Sequence, residues 1–148
     1  MKFPVFDLHC DTALALLGKD RCSIDSLRKN RYHIDLERAG TLAGYAQCFA
    51  CFTSPEQHLP DGVSVADIFE RELTTILRET EINSDLIRLV YSAAEIEECR
   101  KQGLMSAVLT IEGPAGFGYN PEMLKDLYNV GFRITTLGWN ERNPLTGS

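Results

Sequence analysis

The chain has 148 residues, 44% of them hydrophobic and 24% charged, which suits one compact globular unit over residues 1–148 and excludes a disordered or low-complexity polymer. Its formal net charge is -6 and its lysines and arginines are scattered, so no basic face is available for nucleic acid or an anionic membrane surface. No apolar run approaches the roughly 20 residues of a membrane span, and the N-terminal "MKFPVF" is too short for a signal-peptide core, so the expected location is cytoplasmic.

Taken in chain order, the apolar "FPVFDLHC" has little alternation and predicts a first strand buried on both faces. Asp35 is placed to cap the short turn "LERAG", and "GYAQCFACF", residues 44 to 52, predicts a second strand. Residues 65 to 80 carry Ile68, Phe69, Leu73, Ile76 and Leu77 at helical spacing, so they predict an amphipathic helix whose "ERELTTILRETE" charges lie on a solvated face. Ser92 with Glu95 fits a capping box before "AEIEECRKQG", and Gly103 is placed to end that helix. A strand over residues 105 to 113 follows. Asn120 and Pro121 then open a helix with Met123, Leu124, Leu127 and Tyr128 facing inward, which Gly131 ends before a strand over residues 132 to 139.

Buried-looking strands alternating with helices predict an α/β fold built on a parallel sheet, in which ligands gather at the C-terminal ends of the strands. No Walker motif is present, and no G-x-G-x-x-G opens a helix after a strand, so nucleotide binding has no support. The chain has five cysteines, an odd number, and reduced thiols are expected. Cys48 and Cys51 form a C-x-x-C inside a strand, where residues three apart face opposite ways. A redox pair or a zinc knuckle needs a different setting, so both thiols are read as structural.

The chemistry-bearing stretch is "VFDLHCDTAL". His9 and Asp11 are two apart, so at the end of an extended strand their side chains project together while Cys10 points away. Imidazole plus carboxylate suits zinc or a similar divalent ion, although a strand-end His paired with an acid is the plainer alternative. Glu112 stands at the tip of the apolar "MSAVLTI", where an apolar residue or a turn former would be natural. A carboxylate there can bridge two metals in a hydrolytic centre, or it can be a helix cap or a salt-bridged loop acid. His33 and His58 fall in a turn and a loop; a structural or surface role is expected for His33 and solvent exposure for His58.

Four blocks, "FDLHCDTAL", "HIDLERAGTLAGYAQCFACF", "VLTIEGPAGFG" and "LYNVGFRITTLGWNERNPL", resemble in order and spacing the membrane dipeptidase (renal dipeptidase) family, the M19 metallopeptidases. The resemblance runs through nearly the whole chain. It implies the N-terminal half of a (β/α)8 barrel of the amidohydrolase type, with a binuclear zinc centre that hydrolyses dipeptides. His9 and Asp11 match the family's first-strand ligands, and Glu112 matches the acid shared by both zinc ions, which also makes it the catalytic candidate. Where the family has a substrate-contacting His at the end of the fourth strand, this sequence has Trp139, so Trp139 becomes the substrate-binding candidate and substrate preference is open.

The resemblance also implies two further metal-binding histidines, a substrate-binding Arg and an acid-base Asp on later strands, none of which occurs here. A complete barrel takes about 250 residues. The expectation is therefore a truncated dipeptidase whose isolated 148-residue chain lacks the full catalytic set. Its open edges favour a homo-oligomer or pairing with the missing C-terminal half. The alternatives are a hydrolase of another amide or a lactone on the same fold, and a half-barrel interaction module without catalysis.

Overall fold

The structure is a computed structural model that describes residues 3–17 and 25–147. Among these residues the elements of α-helix and β-strand follow in order: β1 (Val5–Cys10), α1 (Thr12–Leu16), α2 (Leu36–Ala39), β2 (Tyr45–Phe52), α3 (Val65–Ile82), β3 (Ile87–Leu89), α4 (Ala93–Lys101), β4 (Met105–Glu112), α5 (Leu124–Val130) and β5 (Phe132–Thr135). Every strand pairing is parallel, as the α/β expectation requires. β2 lies between β1 and β4, while β3 and β5 share the far side of β4, β3 against Met105–Ala107 and β5 against Leu109–Ile111.

The sheet is buried only at its middle. β2 and β4 are enclosed along almost their whole length, which is why both read as continuous apolar runs. Alternation divides their side chains between two clusters. Phe49, Cys51, Leu109 and Ile111 join Ala13, Phe69, Ile76 and Leu127 in the main core, and Cys48 and Val108 join Val90 and Cys99 in a smaller one. The two cysteines of the C-x-x-C therefore sit in different clusters, both buried and free of disulfides. The fifth cysteine, Cys22, lies outside the described residues.

β1 departs from expectation. It is an edge strand, and Phe6 and Leu8 are exposed because none of the described elements covers them, although their composition matches that of the buried strands. β3 was not anticipated: three residues, "IRL", are too few to carry a strand pattern. The last strand is shorter than expected, ending at Thr135 where the backbone leaves β4.

The helix ends follow their capping residues. Asp35 accepts from the Arg38 backbone N–H at 2.8 Å, and Ser64 with Asp67 forms a reciprocal capping box at the start of α3. At α4, Ser92 accepts from Glu95 as expected, but the Glu95 carboxylate reaches back to the N–H of Tyr91, so the box closes one residue early. Asn120 caps a 3₁₀ turn, Pro121–Met123, that leads into α5. Of the side chains expected to face inward there, Leu127 is buried and Leu124 partly so, whereas Met123 and Tyr128 are exposed. Tyr128 instead carries the Arg133 guanidinium over its ring at 4.1 Å. The expected solvated face of α3 is also corrected: Glu72 and Glu79 are both buried.

Candidate metal centre

Two strand ends carry the site. His9 is the second-last residue of β1, and Asp11 follows as the N-cap residue of α1, yet its carboxylate makes no capping hydrogen bond and is left for the site. Between them Cys10 turns into the core, where burial pushes its thiol up to about 11. Glu112 is the last residue of β4, with Phe52, the last of β2, as its register partner.

Gly113 fixes the exit from β4. Its φ is +85°, and a Cβ there would stand 2.2 Å from the Thr53 carbonyl oxygen, so only glycine fits behind Glu112. The Thr53 hydroxyl locks the turn further, donating to the Gly113 carbonyl at 3.2 Å and accepting from the Gly116 N–H at 2.8 Å. The Thr136 hydroxyl accepts from the Gly113 N–H at 3.0 Å.

The structure brings His9, Asp11 and Glu112 together. His9 Nε2 lies 3.2 Å from Asp11 Oδ1 and 3.3 Å from Glu112 Oε2, and one ligand atom from each of the three lies within 4.8 Å of the others. One imidazole and two carboxylates converging from separate elements match the chemistry of a divalent-cation site, so the residues fit a metal. Glu112 is the enclosed donor, its side chain 19% exposed against 48% for His9 and 56% for Asp11. Burial holds its carboxyl above the usual range, with His9 and the Trp139 indole pulling down and Asp11 pushing up.

Trp139 stands beside this group, edge-on to Phe52 with ring centroids 4.9 Å apart. It is half-exposed. The segment that carries it is tied down by a short hydrogen bond from Ser54 to Glu141 and by the buried side chain of Asn143, which donates to the Leu137 carbonyl. His33 and His58 are exposed and do not join the group.

Sequence reasoning missed Glu72. It is fully buried on α3, and neither carboxylate oxygen has a hydrogen-bond partner among the described residues. Burial pushes its carboxyl up to about 9; the Phe52 backbone N–H pulls down from outside good hydrogen-bond geometry, and Asp11 and Glu112 push further up. Its spacing could have found it, since Phe69, Glu72, Ile76 and Glu79 form an i, i+3, i+7, i+10 stripe.

A sequence model of the family described as "Membrane dipeptidase (Peptidase family M19)" matches residues 1–148. The chain is 27% identical over 161 aligned residues to the dipeptidase verJ of Clonostachys rogersoniana, covering 98% of this chain and 40% of that protein. Among solved structures it resembles the dipeptidase AC, a metallo peptidase of family M19, with a TM-score of 0.77 at 24% identity, covering 95% of this chain and 46% of that one. A metallo peptidase from Rhodobacter sphaeroides, liganded with a phosphinate mimic of the dipeptide L-Ala-D-Ala, gives a TM-score of 0.77 at 23% identity over 95% of this chain and 47% of that one. At these identities the structural likeness establishes the fold. The chain spans less than half the length of each of these proteins.

Proposed function

Since the chain belongs to the membrane dipeptidase family, peptidase family M19, we propose that it carries the first part of a zinc-dependent centre that hydrolyses the peptide bond of dipeptides. The observation that carries this reading is the convergence of His9, Asp11 and Glu112 from two strand ends. His9, Asp11 and Glu112 would hold zinc as the first donors of a binuclear centre. Zinc supplies Lewis acidity and lowers the pKa of bound water. Glu112, half-enclosed and fixed by the Gly113 turn, contributes a charge whose position does not relax when substrate arrives. Phe52 and Trp139 form an aromatic wall that orients the substrate and keeps water from one side of it. The remaining strands of a full (β/α)8 barrel belong to the same reading.

The test has two parts. Zn2+ binding to the chain is measured in competition with a chromophoric chelator, for wild type and for His9→Ala, Asp11→Asn and Glu112→Gln. Each substitution should weaken binding at least tenfold, as losing one of three ligands does; zinc affinity unmoved by all three overturns the site. Hydrolysis of a dipeptide such as Gly-Leu by the protein that carries this chain should require zinc and be lost with Glu112→Ala, and activity that survives the change overturns the function.

A further inference from the structure

Glu72 occupies a position where its neighbours on the helix stripe, Phe69 and Ile76, are apolar core residues. A buried carboxyl without a hydrogen bond is costly, and natural interiors hold few of them. The contrast lies one stripe position further on. Glu79 is also buried, but it accepts from the Leu27 backbone N–H at 2.8 Å and from Arg78 at 3.1 Å. Glu79 is satisfied within the protein and Glu72 is not.

The surroundings of Glu72 say what could satisfy it. Its helix packs on α1, which begins directly after Asp11, on β2, which ends at Phe52, and on the 3₁₀ turn Pro114–Phe117, which follows Glu112. The last contact is close, since a Cβ on Gly116 would stand 2.8 Å from the Phe69 ring, one turn before Glu72 on the same stripe. Glu72 thus lies under both chain segments that present the metal-ligating acids, and Asp11 and Glu112 are the charges that act on it. A cation in front of those two acids is the counter-charge this position lacks.

We infer that Glu72 is an outer-sphere carboxyl of the metal centre, a positioning residue that strengthens the hold of His9, Asp11 and Glu112 on a divalent cation without ligating it. The inference rests on the metal site proposed above, and its test separates the two. Zn2+ affinity and the melting temperature of the metal-free chain are measured for wild type, Glu72→Gln and His9→Ala. Glu72→Gln keeps the shape of the side chain and removes its ability to carry charge. It should weaken zinc binding roughly tenfold or more, the usual effect of losing a group behind a ligand, without lowering the metal-free melting temperature. A purely structural residue would give the reverse, a lower melting temperature with affinity intact, and that result overturns the inference alone. Wild type that binds no zinc, or binds it as well with His9→Ala, overturns the metal site itself. Should Glu72→Gln not fold, Glu72→Met is measured in the same way, and failure of both to fold makes the residue structural and overturns the inference.

Discussion

The two strands that deliver the candidate ligands live in opposite surroundings. β4, which ends in Glu112, is paired on both sides and buried on both faces, whereas β1, which carries His9 next to its end, is paired on one side and has Leu8 68% exposed. A donor on β4 inherits the rigidity of the core; a donor on β1 is held chiefly by β2 and by the first turn of α1. The difference teaches that the group is assembled from one fixed carboxylate and one pair whose position is weakly held. Mutations on the two strands should therefore differ in cost.

The largest effect is expected on the fixed side. Gly113→Ala forces a side chain into a left-handed backbone and against the Thr53 carbonyl, and should cost on the order of 4 kcal/mol in urea unfolding. Leu109→Ala, which empties a fully buried position of β4, should cost about 3 kcal/mol in the same measurement. Costs below about 1 kcal/mol for both would mean that β4 is no firmer than the edge.

Beneath the fixed side, Glu72 gives the metal-free chain a pH signature. The folded chain keeps this proton up to about pH 9, while the unfolded chain loses it near the ordinary value of 4.5. Between those limits the native state binds more protons than the unfolded state, so the associated stability is fully present below about pH 4.5 and is lost as pH rises toward 9. The slope is at most about 1.4 kcal/mol per pH unit. Urea midpoints from pH 5 to 9 should fall for wild type and flatten for Glu72→Gln. A smaller effect, about 1 kcal/mol, is expected for Ser64→Ala, which removes the hydroxyl that caps α3 and so holds that helix beneath the site.

What the sequence disclosed follows the same division. β2 and β4, the caps at Asp35 and Asn120, and the grouping of His9 and Asp11 with Glu112 were legible because each has a local signature: a continuous apolar run, a capping side chain, or polar residues at strand tips. The exposure of β1 was not legible, since "VFDLHC" has the composition of a buried strand and only its place at the sheet edge leaves Phe6 and Leu8 uncovered. Glu72 is hidden for the opposite reason: charge reads as a sign of solvent, although its spacing puts it in the core stripe. β3 was lost to its length, because three residues leave no period to read.

The smallest expected effect sharpens the comparison most. Leu8→Ala removes a side chain as large as that of Leu109, from a strand of the same sheet, yet Leu8 is exposed and leaves neither a cavity nor a lost contact of consequence. Its cost in urea unfolding should stay within about 0.5 kcal/mol, as for surface positions generally. A cost approaching that of Leu109→Ala would mean that something covers β1 in solution, a second copy or further chain of the same protein, because only burial gives a leucine side chain that value. Repeating the measurement over a range of protein concentrations separates the two, since cover by a second copy weakens on dilution and cover by the chain itself does not.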